Sequence, residues 1–214
     1  MIQPRARETD WSQKYRPDTL KDCILPSRIR LPLEKMVASS IVQNLVFHGS
    51  CGVGKTSTAR AICSDTNADV FEVNGSLDNS IASLRDDVEG FVSGCNWDGR
   101  RKIVFIDEAE GLSREYQDGL RGLMERVSGR CSFIFTANRL TKISRAIQSR
   151  CFVMDFTFSP QETSTMKVEF ARRLSEILQH EGAKAEPRYL ATLIATEFPE
   201  FRQILKQVQF GCAE

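Results

Sequence analysis

The residues most able to do chemistry lie together in one short stretch. Gly49-Ser50-Cys51-Gly52-Val53-Gly54-Lys55-Thr56 fits the pattern G-x-x-x-x-G-K-[ST], and Ser57 follows it. Gly52 and Gly54 let the backbone curl so that successive N–H groups converge on a polyphosphate at the positive end of the next helix. Lys55 brings a mobile cation to the terminal phosphates, and the Thr56 hydroxyl can ligate magnesium. A glycine-rich turn with an incidental lysine would not need its surroundings, yet an apolar run, Leu45-Val46-Phe47, precedes the loop and a helix-forming run follows it. Strand, phosphate loop and helix in that order predict binding of ATP with Mg2+ along Gly49 to Ser57.

Farther along, KIVFIDEAE ends an apolar run on Asp107 and Glu108. In a parallel sheet the carboxyl ends of neighbouring strands open onto one crevice, so both acids are expected to face Lys55 and Thr56. Asp107 can hold the magnesium through water, and Glu108 can orient the attacking water. Without the phosphate loop the pair would read as a solvated strand end, and Glu110 receives no role. The run CSFIFTAN ends in Asn138, an amide at the same edge that can position water near a γ-phosphate. Arg150, in QSRC, lies beyond easy reach of its own phosphate loop and can neutralise charge on a nucleotide held by a neighbouring subunit. Arg202, in FPEFRQIL, can reach the γ-phosphate of its own chain if a helical lid folds back.

The elements that must position these groups are legible as five apolar, β-branched runs, at 45–47, 70–73, 103–106, 132–136 and 152–156, alternating with helical stretches. Near-continuous apolar strands between helices predict an α/β fold, a five-stranded parallel sheet covered on both faces. Leu84-Val88-Phe91 and Leu120-Leu123-Met124-Val127 have helical spacing. Residues 28–39 read as an amphipathic helix broken by Pro32 near its start. After Phe156 the pattern becomes purely helical: Met166, Phe170, Leu174, Ile177 and Leu178 share a face, and two further helices follow. The division expected is an α/β nucleotide-binding domain over 1–157, with an ordered N-terminal arm at 11–26 packed on its body, and a small all-helical lid over 158–214.

Composition excludes several classes. With 41% hydrophobic and 27% charged residues the 214-residue chain is an ordinary globular protein, not a disordered one. A net charge of +1 rules out a positively coated surface, although a local basic strip is compatible with it. The seven cysteines are scattered without a C-x-x-C pair, which reads as reduced thiols in a cytoplasm. Neither a signal peptide nor an apolar run of membrane-spanning length is present, so no membrane partner is expected.

Taken together, QKYRP at 13–17, the phosphate loop, VNGS at 73–76, DGRRKIVFIDE, LRGLME, TAN, QSRC, HEG and FPEFR run through nearly the whole chain. In order and spacing they resemble the AAA+ sliding-clamp loaders, in particular the large subunits of T-even-like phages, with replication factor C small subunits next. The resemblance implies an ATPase subunit that opens a sliding clamp and loads it on primer-template DNA, working with other loader subunits in a hetero-oligomer, a pentamer when a collar domain is present. It implies that Tyr15, Arg16 and Pro17 lie near the adenine and phosphates, that Asn138 and Arg202 are the two nucleotide sensors, and that Arg150 is a finger for the adjacent subunit. Gln117 resembles a residue that relays a neighbour or DNA to Glu108, and Ser80, Arg85, Ser113 and Arg114 are the DNA-backbone candidates. The family's third, collar domain would follow Glu214, so the chain is expected either to be a fragment or to assemble differently. Two alternatives remain: a nucleotide-binding interaction module with little hydrolysis, and another AAA+ remodeller such as a helicase loader, against which QKYRP and QSRC argue.

Overall fold

Alternation along the apolar runs sorts their side chains onto two faces, and the computed structural model shows what covers each. It describes residues 9–76, 81–94 and 99–212. The strands are β1 Leu45–His48, β2 Asp69–Asn74, β3 Lys102–Asp107, β4 Cys131–Ala137 and β5 Phe152–Asp155, all parallel in the order β2-β3-β4-β1-β5. Each matches an expected run to within one residue at either end. The helices in chain order are α1 Trp11–Lys14, α2 Ser27–Ser39, α3 Lys55–Asp65, α4 Ile81–Ser93, α5 Arg114–Arg126, α6 Arg145–Gln148, α7 Pro160–Glu181, α8 Pro187–Glu197 and α9 Phe201–Gly211.

On one face of the sheet Val46, Val104, Ile106, Phe133 and Phe135 pack beneath α4 and α5, against Val88, Val92, Leu120 and Leu123. On the other, Leu45, Phe47, Ile103, Phe105 and Ile134 pack beneath α2 and α3, against Ile29, Leu33, Ala59 and Ile62. Each fully buried Phe, Leu or Ile contributes roughly 1.5–3 kcal/mol. The sheet is therefore rigid at its centre, where β1, β3 and β4 carry the site. The outer strands are less covered; Phe152 on β5 is 47% exposed.

Pro32 does not break its helix. α2 runs through it, because Ile29 and Leu33, both at most 1% exposed, bury the face that holds the helix against the sheet. That burial offsets the hydrogen bond a proline cannot make.

The C-terminal helices α7, α8 and α9, where a lid is expected (hereafter the lid), pack around Phe170, Leu174, Ile177, Ile194, Ile204 and Val208. The first of them is bounded as the sequence demands. Ser159 and Glu162 form a reciprocal capping box, Pro160 occupies the first turn, and Gly182 closes the helix at φ +63°.

The arm behaves differently from expectation. Its first turn packs on the lid, not on the α/β body: Trp11 and Tyr15, one helical turn apart, are buried among Phe170, Leu174 and Leu205. Gln209 of α9 holds the arm's backbone, accepting from Trp11 N at 2.9 Å and donating to Thr9 O at 2.7 Å. The second half, through Leu20, Cys23 and Leu25, joins the sheet-side core. Apolar side chains on opposite sides of Arg16–Thr19 thus commit the arm to two bodies.

Candidate active site

β1 delivers the chain to the loop at Gly49, and the register His48↔Ala137 sets that loop beside the end of β4. Gly49, Gly52 and Gly54 have φ of +144°, +77° and +94°. At all three an L side chain would be strained. Space matters as well. A Cβ on Gly52 would stand 3.3 Å from the Cα of Glu200, just ahead of α9, and one on Gly49 would stand 3.1 Å from the Cβ of Phe156. The loop is held between the lid and the end of β5.

Lys55 opens α3 and is 7% exposed. Its ammonium donates to Gly49 O at 2.8 Å, Ser50 O at 2.7 Å and Asn138 Oδ1 at 3.0 Å. Burial pulls its pKa down, nearby Cys51, Glu110 and Asp107 act in the opposite sense, and Arg202 adds to the lowering. A buried cation whose present acceptors are all neutral is well placed to gain from an arriving polyanion.

Beside it, Thr56 Oγ1 donates to Asp107 Oδ1 at 2.8 Å, and the Thr136 hydroxyl donates to the same carboxylate oxygen. Thr136 in turn accepts from Glu108 N at 3.1 Å. Glu108 sits in the left-handed region, at φ +53°, ψ +44°, which turns it out of the strand direction into the crevice. Two close approaches fix this turn: Gly75 N donates to Asp107 O at 2.8 Å, and a Cβ on Gly75 would meet Glu108 O at 2.7 Å. That explains the glycine in VNGS. Thr56 and Asp107 converge as hard oxygen donors of the kind that Mg2+ takes together with phosphates and water.

Most of the expected residues meet in this crevice. Lys55, Thr56, Ser57, Asp107, Glu108 and Asn138 line its sheet side, with Cys51, Gly52 and Gly54 from the loop. Tyr15, Arg16 and Pro17 line the arm side, and Arg202, at the start of α9, lines the lid side. Gly49 and Ser50 contribute their carbonyls to Lys55 rather than a surface. Val53 does not face the crevice: at 1% exposure its side chain belongs to the sheet-side core, which anchors the loop.

Arg150 lies away from the crevice, as expected. Its guanidinium is paired with Glu125 and donates to Ala146 O at 2.6 Å. Gln117 lies inside the fold. It is 3% exposed, donates to Leu112 O at 3.2 Å and Lys142 O at 3.1 Å, and accepts from Ser144 N at 2.7 Å. Its amide therefore ties the start of α5 to the segment entering α6, not to Glu108. Ser113 caps α5 by accepting from Tyr116 N at 3.2 Å, and Arg114 is exposed next to it. Ser80 and the side chain of Arg85 lie outside the described residues.

Sequence reasoning missed three groups. Glu110 accepts from the backbone N–H of Asn138 at 2.9 and 3.0 Å, so the acid passed over anchors the main chain of the residue whose side-chain oxygen meets Lys55. Thr136 holds the acidic pair. Its position two residues before Asn138 in TAN was the available signal. The third is the side of α7 that carries Phe170, Arg173 and Ile177, which closes the arm end of the crevice. Helical spacing marked that face as core, with nothing to show a ligand side. Tyr15 was placed in the right crevice, but its hydroxyl points to the lid, donating to Glu181 and lying 2.8 Å from His180 Nδ1.

Among the described residues no helix is long and apolar enough to cross a membrane. Residues 45–158 match the model of the ATPase family associated with various cellular activities. The chain is similar to the sliding-clamp-loader large subunits of Enterobacteria phage T4, at 38% identity over 97% of this chain and 66% of that protein, and Escherichia phage RB69, at 34% with the same coverage. It is also similar to the replication factor C small subunit of Archaeoglobus fulgidus, at 34% identity over 95% of this chain and 64% of the relative. The chain thus spans slightly less than two thirds of these relatives' lengths. Its fold is shared with the Thermotoga maritima RuvB Holliday junction branch migration motor, with a TM-score of 0.67 at 17% identity, covering 91% of this chain and 64% of that one. The loop, the sheet order and the family match agree: the chain belongs to the AAA family of ATPases.

Proposed function

We propose that this chain is an ATP-hydrolysing subunit of a DNA polymerase sliding-clamp loader. The observation that carries the reading is a single crevice in which Lys55, the Thr56–Asp107 pair, Glu108 and Asn138 from the sheet face Arg202 from the lid. The similarity to phage clamp-loader large subunits over 97% of the chain supports the loader in particular.

In this reading the loop amides and Lys55 receive the β- and γ-phosphates, Lys55 exchanging its carbonyl partners for phosphate oxygens. Thr56 and Asp107 hold Mg2+, which when bound neutralises charge on the phosphates. Glu108 orients and polarises the attacking water, while Asn138, held by Glu110, keeps that water in line. Arg202 comes from the lid of the same chain, so nucleotide occupancy and lid angle are coupled. Arg150 leaves Glu125 to reach a nucleotide on an adjacent subunit, which makes hydrolysis dependent on assembly. Partners are the other loader subunits, the sliding clamp and primer-template DNA, the last tracked along its backbone at the start of α5 by Ser113 and Arg114.

The pairing of Arg150 with Glu125 favours one second reading, a nucleotide-responsive binding module that turns over little ATP on its own. The deciding measurement is steady-state ATP hydrolysis with and without primed DNA and a purified sliding clamp. Stimulation by both is expected. ATP binding with no stimulation by either would leave the binding-module reading and sink the loader.

A further inference from the structure

Where α7 faces the start of α2 and Asp22, the lid meets the sheet domain along a line of charge. Three side chains on one face of α7, Glu162, Glu169 and Arg173, each meet an opposite charge from the sheet side. Arg28 Nε lies 2.8 Å from Glu162 Oε1, Arg30 Nη2 lies 3.4 Å from Glu169 Oε1, and Arg173 Nη1 lies 3.9 Å from Asp22 Oδ1. Arg28 and Arg30 start α2, which Ile29 fixes to the core at 1% exposure, so this side of the seam cannot drift.

Arg28 does more than pair. Its Nη1 donates to Asp155 O at 2.5 Å and its Nη2 to Thr157 O at 2.6 Å, so one guanidinium grips the end of β5, the linker and the first turn of α7. Glu162 carries two duties in turn, since its other oxygen accepts from Ser159 N at 2.8 Å in the capping box. A planar fork of donors suits three acceptors at once in a way an ammonium does not. The Asp155 carboxylate accepts from Thr157 N at 2.8 Å and lies 3.7 Å from His48 Nδ1, immediately before the phosphate loop. The hinge and the loop are therefore neighbours.

We infer that Arg28 is a positioning residue: by gripping linker and lid together it sets the angle at which Arg202 stands over the crevice. The grip is ionic and partly exposed, with Arg28 and Glu162 side chains 41% and 23% exposed, so salt screens it and the lid can leave this angle. An apolar seam of the same length would lock one angle. The effect of Arg28 on nucleotide rests on the reading of the crevice as an ATP site; its effect on the lid does not.

The test uses the whole chain with Arg28→Ala and with Glu162→Gln, which keeps an acceptor for Ser159 N while removing the charge. Amide hydrogen exchange without nucleotide is expected to be about fivefold faster or more at 157–163 in both variants, with the sheet unchanged. ATP affinity is expected to fall about 3- to 10-fold in Arg28→Ala, and by less than about twofold when the same change is made in Arg202→Ala. Arg28→Lys is expected to restore only part of the protection. Unchanged exchange in both variants overturns the grip. An equal loss of affinity with and without Arg202 overturns the positioning role. A wild-type chain that fails to bind ATP sinks the reading of the crevice, while exchange still decides the grip on the lid.

Discussion

The two ends of the crevice are built by opposite means. At the phosphate end every group comes from the carboxyl edge of three adjacent strands, β1, β3 and β4, whose side chains are buried on both faces. At the other end the walls come from the arm, α7 and α9, brought together by a small helical core and partly exposed charge. The first end is preorganised by the sheet, and the second moves whenever the lid moves. A site divided in this way fixes its chemistry and leaves its closure adjustable.

The largest expected effect falls on the rigid end. Glu108→Gln should lower steady-state ATP turnover by about 10²- to 10⁴-fold while leaving ATP affinity unchanged, because the amide cannot take a proton. Unaltered turnover would remove Glu108 from the reaction. Next, Lys55→Ala should weaken ATP binding by about 30- to 1000-fold in a fluorescent-nucleotide titration, the cost of removing one member of a buried charge contact. A smaller loss would mean that the lid end, not the loop, dominates affinity.

The adjustable end should respond less and in a different observable. Tyr15→Phe removes the hydroxyl shared with His180 and Glu181 and should cost about 1–2 kcal/mol in denaturant unfolding, with ATP turnover nearly intact. A loss of turnover without a loss of stability would place that hydroxyl on the ligand after all. The smallest effect is on pH. Burial raises the Glu181 carboxyl, but hydrogen bonds from Lys14 and Tyr15 outweigh it and hold the group below its usual range. A depressed carboxyl contributes stability above its unfolded pKa of about 4.3 and loses it as pH falls through the folded value. Lid stability should therefore decline on acidification below that point, and Glu181→Gln should flatten this part of the profile.

The same division explains what could be read from sequence. The phosphate loop, the five strands and Asp107–Glu108 were legible because each is a contiguous run with its own periodicity or glycine pattern. The carboxyl-edge rule then places the runs together without coordinates. Asn138 and Arg202 were legible only as candidates, since their meaning depends on where the neighbouring loop and lid fold. Tyr15 was assigned to the crevice but not to the lid, because the direction of a hydroxyl is set by His180 and Glu181, far along the chain. The partners of Gln117 were hidden for a related reason: a buried amide takes whichever backbone groups lack partners, and those were Leu112, Lys142 and Ser144. The α7 seam was invisible, as Arg28 and Glu162 are 134 positions apart and each alone looks like a solvated charge.

One consequence follows from the arm's attachment to the lid. The polypeptide passes between the two bodies twice, once at 16–19 and again at 156–159. Two tethers leave a rigid body little freedom except rotation about the line joining them, as a door turns on a pair of pins. Lid travel over the crevice is thereby reduced to a swing about one axis, and the first turn of the arm, Trp11 to Tyr15, rides on the moving leaf.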